Sequence, residues 1–248
     1  MKFLFPLLRL FSPELAHSIS LNSLNFFYRL GLIRFFASKN NATETYLFEG
    51  LAFKNKLGIA AGLDKNGDFI DSLGALGFGF IEVGTVTPLA QDGNPKPRIF
   101  RVFKENAIIN RLGFNNKGVD YLVKKLESRN YKGVVGVNIG ANKESKGDKR
   151  IADYVECFKK VYVLSDYITI NISSPNTPDL RDLHSKENIY NLLKSLDSQR
   201  QSFDTKKPVF LKISPDESPE TLQIIIDAVK EFNISGLILS NTTIDKSL

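Results

Sequence analysis

From Tyr46 onward, short apolar runs alternate with amphipathic stretches. Apolar and β-branched runs at 57–61, 80–83, 134–139, 167–172, 209–213 and 237–240 predict six strands. Between them, apolar residues recur at helical spacing near 67–76, 119–126, 189–196 and 222–232, and through Ile151, Tyr154, Val155, Phe158 and Val161. Such alternation implies parallel strands joined by right-handed crossovers. Polar residues gather just past the strand ends: Asp64 and Lys65, Thr85, Asn138, Asn171 and Ser174, Lys212, Asn241 and Thr242. That placement suits either a (β/α)8 barrel or a doubly wound sheet. Six units do not close an eight-stranded barrel. Two more would take very roughly 60 to 90 residues, so an incomplete barrel of about six units is expected.

The first 40 residues follow another pattern. Phe3, Leu4, Phe5, Leu7, Leu8, Leu10 and Phe11 are too many for one buried face, and Pro6 and Arg9 interrupt the run. It is too short to cross a bilayer, and no small-residue cleavage site follows it. Ser12-Pro13-Glu14 marks a helix start, with Ser12 as N-cap and Pro13 at the first helical position. One short helix is expected before Ser12 and a second from Pro13 to about Leu30. With Arg9, Arg29 and Arg34 among these apolar residues, the pair suits a membrane interface. A helical pair packed on the rest of the protein is the alternative. The polar stretch from Lys39 to Thr45 reads as a linker, dividing a helical segment, 1–38, from an α/β unit, 46–248.

Composition changes this picture little. With 248 residues, 42% of them hydrophobic, the chain can bury a sizeable core. The net charge is +6, but five of the cations lie in the first 40 residues against Glu14 alone. The basic excess therefore sits with an apolar segment and not in a stripe, which argues against nucleic acid as a partner. One cysteine excludes an internal disulfide and a cysteine-based metal cluster, and no metal site is expected.

Five stretches carry candidate chemistry. In Ala60-Ala61-Gly62-Leu63-Asp64-Lys65-Asn66-Gly67, Gly62 lets the backbone approach a flat ligand and Lys65 sets a cation beside it. A plain β-to-α turn with a surface lysine explains the same residues. Asn110-Arg111-Leu112-Gly113-Phe114-Asn115-Asn116 concentrates amides, which both donate and accept and so suit an imide or urea-like molecule; a turn-rich loop is the plainer reading. Asn138, Asn171 and Asn241, each at or near a strand end, suggest a shared polar rim. Lys212 stands inside an apolar strand, where a lysine needs an anionic or electron-rich partner. In Asn171-Ile172-Ser173-Ser174-Pro175-Asn176-Thr177-Pro178, two prolines stiffen a turn that holds hydroxyl and amide groups in fixed directions.

Together, AAGLDKNG, IEVGTVTP, NRLGFNN, NISSPNTP and LSNTT, in that order, resemble the quinone-dependent (class 2) dihydroorotate dehydrogenases. The resemblance runs from the N-terminal helices to Leu248. It implies a TIM-barrel type fold with FMN over the strand ends and dihydroorotate against its face, in de novo pyrimidine biosynthesis. It implies FMN contacts from Ala61, Gly62, Leu63, Asp64, Lys65, Thr85, Asn138, Asn171, Lys212 and Ser240. It implies substrate contacts from Lys65, Asn110, Arg111, Leu112, Gly113, Phe114, Asn171, Asn176, Asn241 and Thr242, and Ser174 as the catalytic base. It implies further that the reduced flavin passes its electrons to a membrane quinone arriving through the N-terminal helices, at the cytoplasmic face of the cell membrane. Because a serine is a poor base unaided, Thr177, three residues on, is expected to assist Ser174. Cys157, in a helical pattern outside every motif, is expected to be packing, and His17 and His184 incidental.

The family pattern continues past LSNTT into two further strand-helix units whose glycine-rich loops cradle the FMN phosphate. That sets two alternatives beside the enzyme. One is a non-catalytic remnant with membrane-associating helices; the other is an FMN barrel acting on RNA.

Overall fold

The computed structural model describes residues 8–33, 45–173 and 183–245. The helix expected before Ser12 lies largely outside them. Helix α1, Pro13–Arg29, begins where Ser-Pro-Glu predicts, although the Ser12 side chain makes no capping bond. It buries Ala16 and Leu21 and leaves Leu15, Phe26 and Phe27 exposed. No helix among the described residues is long and apolar enough to cross a membrane.

A hairpin that the polar and apolar pattern did not reveal comes next. Strands β1, Tyr46–Phe48, and β2, Leu51–Phe53, are antiparallel. Glu49 and Gly50, both at positive φ, form the two-residue turn whose twist matches paired strands. The alternating elements follow: β3 (Gly58–Ile59), α2 (Ile70–Gly74) and β4 (Phe80–Val86). A second unforeseen hairpin, β5 (Ile99–Val102) and β6 (Ala107–Asn110), is inserted after β4. Then come α3 (Val119–Glu127), β7 (Val134–Ile139), α4 (Gly147–Val161), β8 (Tyr167–Asn171), α5 (Lys186–Gln201), β9 (Val209–Lys212), α6 (Pro219–Glu231) and β10 (Gly236–Ile238). Two helices start on serine caps, Ser185 accepting from the Asn188 amide and Ser218 from that of Thr221.

The run expected at 57–61 pairs only over Gly58–Ile59. Beyond it the chain turns, and the Gly62 amide donates to the Gly84 carbonyl at 2.8 Å. The helix expected over 67–76 spans only Ile70–Gly74, and Asp64 accepts from the amides of Asp68 and Phe69 just before it.

All pairs in the six-stranded sheet are parallel, in the order β10-β9-β8-β7-β4-β3. The order never reverses, so there is no topological switch point. This excludes the doubly wound alternative and makes the sheet six units of a barrel. Side chains alternate between its faces. Ile81, Val83, Val135, Val137, Ile168, Ile170 and Leu211 pack outward, joining Leu122, Tyr154, Phe158, Leu192 and Ile225 of the helices in one core. On the inward face, Val134, Tyr167 and Phe210 form a second cluster with Phe53 and Phe80.

Candidate active site

Two residues further along the same strands, the inward face turns polar. Glu82, 4% exposed on β4, accepts from Asn138 Nδ2 (2.9 Å), Tyr167 OH (3.0 Å) and Thr169 Oγ1 (3.0 Å). The chain of bonds continues towards the strand ends. Thr85 Oγ1 donates to Asn138 Oδ1 (2.6 Å), and Asn171 Nδ2 donates to Thr85 Oγ1 (2.9 Å). Asn171 Oδ1 accepts from Ser173 (Oγ, 3.1 Å) and from Asn241 Nδ2 (3.5 Å). The register makes these approaches possible: Asn138 lies opposite Gly84 and Thr169, and Asn171 opposite Lys212. Burial raises the Tyr167 hydroxyl well above the ordinary tyrosine range, and Glu82 adds to it, so this group stays a donor.

Lys212 ends β9, half-buried, beside Asn171. Among the described residues its ammonium has no hydrogen bond or ion pair. With Glu82, Tyr167 and Phe210 it lines a cavity of about 590 Å³ that the β1–β2 hairpin borders through Phe48 and Phe53.

The 61–65 loop lies across the end of β4. Gly62 has φ +103 and open space where a Cβ would project. Lys65 Nζ donates to Asn115 Oδ1. Burial, and then the charge of Arg98, lower the Lys65 ammonium to about 8. Arg98 itself is buried and paired with Glu14 of α1 at 2.9 Å. His17, also on α1, meets the Leu63 carbonyl at 2.7 Å. The N-terminal helix is thus tied to the loop that carries Lys65.

The other sequence-derived candidates divide. Phe114 (φ 51) is buried near Gly140 and Thr85, and Gly113 precedes it in a loop held by Asn116, whose amide bonds Thr87 Oγ1 and the Phe114 carbonyl. Leu112 lies in the same loop, and its carbonyl accepts from the Asn94 amide. Asn110 closes β6. The Arg111 guanidinium turns to the Pro97 carbonyl and the Phe100 ring, and Asp64 is occupied by its capping bonds. Ala61 is half-buried; Ser240 and Thr242 are exposed on either side of Asn241. Ser174, Asn176 and Thr177 lie outside the described residues.

The comparisons with known proteins agree with one another. The dihydroorotate dehydrogenase family profile matches residues 44–248. Among curated relatives, the dihydroorotate dehydrogenase (quinone) of Saccharophagus degradans is 49% identical over 237 residues, covering 94% of this chain and 70% of the relative. That of Coxiella burnetii is 48% identical over 246 residues, covering 98% and 71%. The crystal structure of DHODH from Eimeria tenella in complex with ferulenol superposes with a TM-score of 0.84 at 35% identity, over 94% of this chain and 68% of that one. The chain belongs to the dihydroorotate dehydrogenase family.

For a member of this family, Glu82, Tyr167 and Thr169 were not among the candidates, while Asn115 of the amide-rich stretch proves to be the partner of Lys65. One signal was present. Glu82 is the only charged residue of Phe80–Val86, the same anomaly that singled out Lys212. Tyr167 and Thr169 read as ordinary strand residues until the register brought them to Glu82. Cys157 is fully buried with its thiol pushed well up by burial, as packing requires. The His184 ring bonds the Ile172 carbonyl (2.8 Å) and Glu217 (2.9 Å).

Proposed function

We propose that this chain oxidises dihydroorotate to orotate in pyrimidine biosynthesis, with FMN as the hydride acceptor and a membrane quinone as the terminal acceptor. Family membership supports it, and one observation carries it at the level of the site. Lys212 is a half-buried cation without a partner among the described residues, beside a row of side-chain amides at the strand ends. A cation at such depth needs an electron-rich partner. The donor set fits a flavin: Lys212 lines a cavity, the amides of Asn138 and Asn171 lie on the neighbouring strands, and Gly62 leaves a flat ligand room.

Lys212, Thr85, Asn138, Asn171 and the 61–65 loop would hold FMN, with Ser240 at the rim. When bound, the flavin supplies a two-electron acceptor that the side chains lack. Lys65, through its ammonium, holds the carboxylate of dihydroorotate, while Asn171, Asn176, Asn241, Thr242 and the 110–114 loop match the polar edges of its ring. Ser174 Oγ takes the proton from the ring carbon next to the carbonyl. That transfer needs water excluded from the site. The unit 46–248 serves as the flavin barrel. The segment 1–38 offers Leu15, Phe26 and Phe27 to quinone and to the inner surface of the cell membrane.

The experiment is direct. Purified protein should show flavin absorbance that bleaches when dihydroorotate is added without oxygen and returns with a quinone. Colourless protein that gains neither flavin nor activity on reconstitution with FMN would overturn the reading and leave the remnant alternative.

A further inference from the structure

Two cations stand close together beside α1. Arg98, 6% exposed, is held on every side. Its Nη1 donates to the carbonyls of Asp92 and Asn94, and its Nε and Nη2 donate to Glu14 Oε1 at 3.0 and 2.9 Å. Lys65, half-buried, donates to the uncharged Asn115, and no carboxylate pairs with it among the described residues. Arg98 and Asn115 flank Gly93, where a Cβ would stand 2.9 Å from Arg98 Nη1 and 2.9 Å from Asn115 Cβ. The guanidinium is thus a neighbour of the residue that receives the Lys65 ammonium.

Like charges at such depth repel, because little water lies between to screen them. One anion is set against them: Glu14, in the first turn of α1, is the ion-pair partner of Arg98. The other charged groups nearby are engaged elsewhere. Asp64 accepts from the amides of Asp68 and Phe69, and Asp68 pairs with Lys117 and Lys125. Lys143 reaches Asn94 Oδ1, and His17 meets the Leu63 carbonyl. After burial, Arg98 lowers the Lys65 ammonium and Glu14 raises it.

We propose that Glu14 is a positioning residue for the anion site: its carboxylate offsets the charge of Arg98, so that Lys65 keeps its proton and can hold an anionic ligand. The N-terminal helix thereby takes part in substrate binding without touching substrate. For the identity of the ligand this rests on the dihydroorotate reading above.

Glu14→Gln removes the charge while its amide oxygen still accepts from Arg98. In the ligand-free protein, an NMR titration follows the Lys65 side chain, identified as the signal lost in Lys65→Arg. Its midpoint should fall below that of wild type by about half a pH unit or more. In the flavin-loaded enzyme near pH 8, the half-saturating dihydroorotate concentration should rise by about twofold or more. That rise should exceed the fall in the limiting rate of flavin reduction. The gap should close at lower pH, where both proteins carry the charge, whereas a loosened helix would leave it open. A Lys65 midpoint unmoved by Glu14→Gln overturns the proposal. So does one moved as far by His17→Gln, which loosens α1 and leaves the ion pair in place. Should Glu14→Gln not fold, Arg98→Gln decides: with the second cation gone, the midpoint must rise above that of wild type, and one that does not rise overturns the proposal. Wild-type flavin that dihydroorotate fails to bleach would sink the functional reading, while the Lys65 titration of the ligand-free chain still judges Glu14.

Discussion

The inward face of the sheet has two ends built on the same strands. At its N-terminal mouth stand Phe80, Val134, Tyr167 and Phe210, packed edge to face and closed off by Leu51 and Phe53 of the hairpin. Two to four residues further along the strands stand Glu82, Asn138, Thr169, Asn171 and Lys212, joined by hydrogen bonds or, for Lys212, without a partner among the described residues. A period of two puts both sets on one face. Only side-chain chemistry separates them. The apolar end gains from burial and asks nothing of orientation. The polar end gives up hydrophobic burial and holds directed donors. Gly136 shows how tightly the first end is fitted, since a Cβ there would run into the Tyr167 ring. Stability should therefore reside at one end and ligand chemistry at the other.

Substitutions can break this division. The largest effect is expected from Ser174→Ala, with flavin reduction by dihydroorotate slowed about 10²- to 10⁴-fold and flavin binding unchanged in a titration. Stopped-flow absorbance measures it, and an unchanged rate would remove Ser174 from the chemistry. At the opposite end, Phe210→Ala should cost about 3 kcal/mol of folding stability while leaving dihydroorotate turnover near wild type below the melting transition. Denaturant titration and activity on the same sample separate the two outcomes, and lost turnover in fully folded protein would erase the contrast. Lys212→Met should weaken FMN by about tenfold or more without lowering the melting temperature of the flavin-free chain. Fluorescence of released flavin reads the affinity.

The smallest effect is a pH dependence. Burial and then Arg98 hold the Lys65 ammonium at about 8 in the ligand-free protein. Below that pH the side chain is charged and, on the proposed reading, would attract the dihydroorotate carboxylate; above it the charge is lost. The substrate concentration for half-saturation should therefore climb as pH rises through about 8, by up to about tenfold per pH unit. Lys65→Arg, charged throughout, should flatten that limb. A rise of equal steepness in the variant would assign the titration to another group.

Much of the fold was legible because periodicity is a local property. The runs at 134–139 and 167–172 became β7 and β8 almost to the residue, and the helix expected over 222–232 became α6, Pro219–Glu231. The two hairpins were missed. Glu49-Gly50 is not the usual turn pair, and β5 and β6 are short and half exposed, with little alternation to read. In the site, Lys212 and the strand-end amides stood out by type alone. Glu82 carried the same signal as Lys212 yet gave no hint of its partners. Tyr167 and Thr169 come 85 and 87 residues later.

The sequence by itself determined the alternation of the six parallel strands with their helices and the family, and it pointed to the strand ends as the place for chemistry. These follow from local periodicity and from motifs read along the chain. Only the tertiary structure decided that the sheet runs in one direction without a switch point. It also brought Glu82, Asn138, Thr85 and Asn171 into one row, and it tied α1 to the Lys65 loop through His17–Leu63 and to the approach to β5 through Glu14–Arg98. The reason is physical. Parallel register and the twist of the sheet set which inward side chains meet, and hydrogen-bond direction exists only once donor and acceptor stand within about 3 Å of each other.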